Sequence, residues 1–143
     1  MHGNHGIRRY RETDLGSMGK EKMVVLLYEK MLEHLDAAAA AAHGGERVEM
    51  ARRLNLAQRI VIELRNALDV AVGGEIAENL IALYEFVFQE ILAMLVDQEP
   101  EHAADARRVL EPLLAAWRQI PPGMAERAAR GGRFRSPGSR AGG

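Results

Sequence analysis

Leu54-Asn-Leu-Ala-Gln-Arg-Ile-Val-Ile-Glu-Leu-Arg-Asn-Ala-Leu-Asp-Val-Ala-Val72 is followed by Gly73-Gly74 and then by Glu75-Ile-Ala-Glu-Asn-Leu-Ile-Ala-Leu-Tyr-Glu-Phe-Val-Phe-Gln-Glu-Ile-Leu-Ala-Met-Leu95. Before the glycines, Ala57, Val61, Leu64, Leu68 and Ala71 recur every three or four residues. After them, Ile76, Leu80, Leu83, Val87, Ile91, Met94 and Leu95 do the same. That period places each set on one face of a helix. Glycine accepts positive φ without a Cβ clash, so the pair reads as a helix stop followed by a tight reversal. Glu75 suits the positive end of a new helix. The stretch therefore predicts a helical hairpin, with helices over 46–72 and 75–96, on which the rest of the chain packs.

Outward from the hairpin, Lys20 to Ala42 predicts the first long helix, with Met23, Leu26, Leu27, Met31, Leu35 and Ala38 as its stripe. Ala37 to Ala42 has the highest helix propensity available and lets a neighbour approach closely. Val25, Tyr28 and Leu32 widen the apolar arc, as in a helix touching two neighbours. His43-Gly44-Gly45 ends this helix, and Asp97-Gln98-Glu99-Pro100 ends the hairpin. A fourth helix starts near Pro100, since proline is tolerated in a first turn. It carries Ala103, Ala106, Leu110, Leu113, Leu114, Trp117 and Ile120, with Pro112 inside it, which is expected to remove one backbone bond and bend the helix. Four helices of about twenty residues, each about 30 Å long, joined by short connections, make an all-α, antiparallel four-helix bundle over 20–121. The polar, glycine-rich residues 1–19 read as a flexible N-terminal arm. Residues 122–143, with Arg127, Arg130, Arg133, Arg135 and Arg140, read as a disordered basic tail.

Alanine and leucine carry most of the 48% hydrophobic content and aromatics only 5%, a balance that favours helices over sheets. A formal net charge of −1 predicts no nucleic-acid partner and no broad attraction to anionic membranes. The chain has no cysteine, which removes disulfides and thiolate chemistry and fits a reducing compartment. The nearly uncharged alanine run before Gly45 is too short and too weakly apolar to span a bilayer. No secretory signal opens the chain. A soluble, cytoplasmic (cytosolic) protein without membrane insertion is expected.

Catalysis needs convergent polar groups in a cleft, and the sequence offers none. Glu99/His102 is the one Glu-x-x-His spacing, against the two that a di-iron bundle requires. His34 is followed by Leu-Asp-Ala-Ala, without the lysine and glycine of a phosphotransfer histidine. No catalytic residue, metal or cofactor is expected, and the chain does not read as an enzyme. What remains is surplus apolar surface beside the core stripes, at Val25, Leu32, Ile62, Ile81, Phe88 and Leu92, the mark of a partner site wherever it stays exposed.

Leu26-Leu27-Tyr28, Ala57-Gln58-Arg59-Ile60-Val61-Ile62-Glu63-Leu64-Arg65 with Leu68-Asp69, Gly73-Gly74-Glu75-Ile76-Ala77-Glu78-Asn79-Leu80, Ala82-Leu83-Tyr84 and Trp117 resemble the flagellar secretion chaperone family FliS. The likeness runs from about Tyr10 to Ile120, and Tyr10, Leu15, Ser17 and Tyr28 match the spacing of the family's N-terminal tyrosine arm. Gly19-Lys20 stands where the family usually has Ser-Pro, and Glu29-Lys30-Met31 where it has an acidic residue, glycine and alanine. The resemblance implies a four-helix bundle that binds the disordered C-terminal segment of flagellin, prevents its premature polymerisation and delivers it to the type III flagellar export gate. Tyr10, Leu15, Val25, Tyr28, Leu32, Ile62, Ile81, Tyr84, Phe88 and Leu92 are the candidate contacts, with Tyr10 and Leu15 occupying a groove when the client is absent. The alternative from the same residues is a structural or regulatory adaptor that binds another helix or its own copy.

Overall fold

The computed structural model describes residues 19–121. Four helices follow one another: α1 Lys20–His43, α2 Arg47–Asn66, α3 Val70–Asp97 and α4 Glu101–Arg118. Three-residue connections at 44–46, 67–69 and 98–100 reverse the chain each time. The bundle is an antiparallel ring, in which α1 packs on α2 and α4, and α3 packs on α2 and α4.

The core is built from the predicted periodicity. Tyr28, Met31 and Leu35 of α1, Leu54 and Val61 of α2, Val87, Ile91 and Met94 of α3, and Leu110 of α4 are the large side chains that the bundle buries completely. Ala38, Ala41, Ala57, Ala103 and Ala106 are buried beside them, which is how alanine-rich faces bring helix axes together. Residues at the stripes' ends do otherwise. Leu26 is 47% exposed and Ile76 71% exposed, so neither is a core position.

The α2–α3 corner corrects the sequence reading. The break expected at the glycine pair is present as a non-helical Gly74, but α2 stops at Asn66 rather than at Val72, and Ala67-Leu68-Asp69 connects it to α3. Asp69 is the reason. Its side chain accepts a hydrogen bond from the Ala71 backbone N–H at 3.0 Å and caps the new helix, satisfying a donor that has no partner within the helix. The glycines sit just inside α3 as a kink. Gly74 has φ 57° and ψ −132°, a region open essentially to glycine alone. A Cβ on Gly73 would lie 2.8 Å from the Ala77 Cβ. One glycine thus supplies a conformation and the other a close approach.

The other corners are tied by side chains. Gln98 ends α3 in the left-handed region (φ 62°), donating its N–H to the Met94 carbonyl at 2.8 Å. Its side-chain oxygen accepts from Arg47 Nε at 3.1 Å. His102 sits between two carboxylates of α3, with Nδ1 2.8 Å from Glu90 Oε1 and Nε2 2.9 Å from Asp97 Oδ2. α4 runs unbroken through Pro112, which lies on its exposed side. Val70–Asp97 is long and apolar enough to cross a membrane by length and composition. In the bundle Ala77, Tyr84, Val87, Ile91 and Met94 form its buried face, and Glu75, Glu78, Glu85 and Glu90 interrupt the remainder.

Candidate functional site

A ring of four helices has a groove between each adjacent pair, and among the described residues the α2–α3 and α1–α4 grooves are open to solvent. The first lies between α2 and α3 and measures about 250 Å³. Val61 and Tyr84 form its floor, Ile62 and Phe88 its apolar walls, and Arg65 and Glu85 its charged rim. Arg65 Nη2 meets Glu85 Oε2 at 2.9 Å, so one ion pair bridges the two helices across the opening. Ile62 is 40% exposed and Phe88 half-buried. Ile81, Glu85, Phe88 and Leu92 are spaced at i, i+4, i+7 and i+11, which puts them on one flank of α3. The half-buried Ile81 and Leu92 thus extend the apolar stripe in both directions beyond the groove.

The second groove lies between α1 and α4 and is larger, about 930 Å³. Its apolar floor is Leu26, Leu32 and Leu114. Its walls are charged and cross-linked. Arg107 Nη1 bonds both carboxylate oxygens of Asp36, at 2.8 and 2.7 Å, and its Nη2 meets Glu111 at 2.8 Å. Arg118 reaches Glu29 at 2.7 Å, and Lys30 pairs with Glu33 at 3.1 Å along α1. Val25, half-buried, continues the line of Glu29, Leu32 and Asp36 by one more turn.

Tyr28 and Tyr84 stand between the grooves. Both are interior, 0% and 2% exposed, and their hydroxyls are 2.5 Å apart. Burial pushes both phenols above the usual tyrosine range. For Tyr28, hydrogen bonding with Tyr84 and Trp117 pulls the other way, whereas the neighbouring Tyr28 raises Tyr84 further. They stay neutral at physiological pH and hold the bundle's diagonal.

The sequence-predicted contacts therefore divide. Ile62, Tyr84 and Phe88 line the α2–α3 groove, and Ile81 and Leu92 continue its stripe along α3. Val25 is half-buried on the α1–α4 side, whereas Leu32, expected as surplus surface, is a core residue only 7% exposed beneath that groove. Tyr28 is part of the interior, and Tyr10 and Leu15 lie outside the described residues. Arg65, Glu85, Leu114, Arg107 and Arg118 are additions from the structure. Their interhelical pairings leave no trace in the apolar period of either helix. Val70, Phe86 and Val96 of α3 are also exposed, so the outer face of this helix is far from uniformly charged.

No catalytic arrangement emerges from the polar groups described. His34 Nδ1 is 3.0 Å from Arg53 Nη1. Burial, first, and the nearby Arg53 charge hold its pKa below the ordinary histidine value, so a neutral ring accepts a hydrogen bond from the guanidinium. Among the described residues no group of three or more His, Asp or Glu side chains is placed to hold a metal ion.

Comparison with known proteins gives a consistent picture. The family model described as flagellar protein FliS matches residues 3–124. The flagellar secretion chaperone FliS of Vibrio cholerae is 32% identical over 111 residues, spanning 78% of this chain and 82% of the relative. Those of Campylobacter jejuni and Salmonella typhimurium are 27% and 26% identical, over 84% and 85% of this chain and 94% of each relative. A crystal structure of a flagellar chaperone from bacteria superposes with a TM-score of 0.67 at 20% identity, covering 87% of this chain and 98% of the other. At that identity the superposition speaks for the fold.

Proposed function

This chain belongs to the FliS family of flagellar secretion chaperones, and from that premise we propose that it is a cytoplasmic export chaperone that binds the C-terminal segment of flagellin. It keeps the segment from polymerising early and delivers it to the flagellar type III export apparatus. It performs no covalent chemistry. Its work is to cover an apolar surface and later release it.

The observation that carries this reading is the α2–α3 groove. Ile62, Ile81, Phe88 and Leu92 present apolar surface that the bundle's own core leaves uncovered, around a floor of Val61 and Tyr84. Flagellin's C-terminal segment becomes an amphipathic helix in the filament, and its free apolar face would otherwise self-associate. A stripe at helical spacing beside a groove suits such a helix. The client must leave again, which favours many shallow contacts over a few deep anchors. A disordered segment also loses conformational freedom on binding, and this offsets part of the contact energy. The affinity is therefore kept moderate while a long surface is covered.

Titration calorimetry of the full chain with a peptide of flagellin's C-terminal segment tests the reading. Binding in the micromolar range or tighter, weakened by Ile62→Asp, is the expected result. No heat at high micromolar peptide would overturn it. If light scattering then showed a tight dimer that hid Ile62 and Phe88, the same surface would belong to an adaptor that binds its own copy.

A further inference from the structure

We propose that the arginine-rich segment 122–143 of this same chain docks along the α1–α4 groove. The groove is lined by four carboxylates, Glu29, Glu33, Asp36 and Glu111, and by three cations, Lys30, Arg107 and Arg118. Each carboxylate already meets one of these cations. Even so, Glu29, Glu33, Asp36 and Glu111 remain 43%, 60%, 59% and 53% exposed. An ionised carboxylate accepts from about four directions, so each keeps room for a second guanidinium.

The segment has the complementary charge. It holds Arg127, Arg130, Arg133, Arg135 and Arg140 against the single Glu126, so five positive charges less one negative charge leave +4. Met124 and Phe134 supply apolar side chains for Leu26, which lines this groove and is exposed. The α2–α3 groove has no such surplus, because its one arginine and one glutamate balance. Charge therefore directs the segment to one groove and leaves the apolar one open.

Connectivity favours the same groove. The chain leaves α4 at Arg118, itself a wall residue paired with Glu29. Along α1 the distance from Glu29 to Asp36 is roughly 10 Å at 1.5 Å per residue. The residues between Arg118 and Arg127 reach roughly 30 Å when extended, so the arginines can return along the full wall. Tethering sets an effective concentration on the order of millimolar, at which several weak, exposed ion pairs act together. They are screened by salt, since the Debye length falls from about 8 Å at 0.15 M to about 3 Å at 1 M.

The proposal needs no flagellin, so its test is separate from that of the chaperone reading. The chain lacks cysteine, and Ser139→Cys in the full-length protein accepts a single nitroxide label. In low salt, the amide signals of Glu29, Glu33 and Asp36 are expected to lose at least half their intensity relative to the reduced label. Ile62 and Phe88 should keep theirs. The loss should vanish at high salt, in the Glu33→Lys/Asp36→Lys variant, and in a variant with the five tail arginines replaced by serine. That last variant leaves the bundle untouched and controls for mere tethering. An equal loss in the serine variant would overturn the proposal. So would a loss spread evenly over both grooves, or one seen only when label and observed nuclei are on different molecules.

Discussion

Tyr28 and Tyr84, 56 residues apart in the chain, meet hydroxyl to hydroxyl at 2.5 Å across the diagonal of the bundle. Their rings stand edge to face, with centroids 6.3 Å apart and planes at 62°. α1 and α3 are not neighbours in the ring, so this pair joins two helices whose backbones do not pack together. It also gives each buried hydroxyl its partner. Tyr28→Phe leaves the Tyr84 hydroxyl without this partner and is expected to cost about 1–3 kcal/mol, whereas Tyr84→Phe leaves Tyr28 its hydrogen bond with Trp117 and should cost less. The double replacement should cost less than the sum of the two, because neither phenol is then left facing a missing hydroxyl. Urea unfolding of the three variants measures this, and strict additivity would refute the coupling.

His102 makes the α3–α4 corner sensitive to pH in two directions. The Asp97 hydrogen bond, first, and the Glu90 hydrogen bond raise its pKa. Its stabilising share is therefore complete below the usual histidine value of about 6.5 and is lost as pH rises through the raised folded value. Asp97 is the reverse case. The His102 hydrogen bond, first, and that from the Glu99 backbone N–H lower its pKa. Its share is present above the ordinary aspartate value of about 3.9 and is lost as pH falls. The melting temperature should thus peak between these values, as far as this corner contributes. His102→Gln should flatten the alkaline limb. An unchanged pH profile in that variant would show that the corner carries no such linkage.

The two glycines of α3 call for different substitutions. Gly74→Ala puts a Cβ on a backbone with positive φ and is expected to cost about 1–3 kcal/mol. Gly73→Ala brings its Cβ to 2.8 Å from the Ala77 Cβ. Its cost should largely disappear when Ala77→Gly is added, whereas the same change cannot rescue Gly74→Ala. Thermal melts of the four proteins distinguish a crowding defect from a conformational one.

At the α2–α3 groove, Phe88→Ala and Ile62→Asp should each weaken a flagellin C-terminal peptide by about tenfold or more, corresponding to about 1.4 kcal/mol or above. Ile62 is 40% exposed, so the aspartate should leave the fold's stability nearly unchanged. Equal affinity of wild type and both variants would place the client elsewhere on the bundle.

Much of this architecture is written locally. The buried faces of α1, α3 and α4 follow the apolar period from Met31 to Ala38, Val87 to Met94 and Ala103 to Leu114. At the corner after α2 two stop signals compete. Leu68 and Ala71 continue the period past Asp69, while Gly73-Gly74 looks like the stronger break. The cap at Asp69 decides the turn, and its signal is one side chain set against five apolar positions. The site was legible as a surplus of apolar residues but not as a groove. Whether Leu32 or Ile62 faces outward depends on which helix lies on each side, and the period of one helix does not encode its neighbours. Tyr28 pairing with Tyr84, and Arg65 with Glu85, depend on the same long-range arrangement.

A segment such as Val70–Asp97 is ambiguous to any machinery that reads hydropathy before folding is complete. In the folded bundle its glutamates at 75 and 78 are exposed, Glu85 is half-buried and Glu90 is mostly covered by its bond with His102. On the nascent chain they have a second consequence, because each one opposes partition into lipid. Neutralising all four should turn a helix of the bundle into a substrate for membrane insertion. These carboxylates thus help decide which solvent the newborn polypeptide enters.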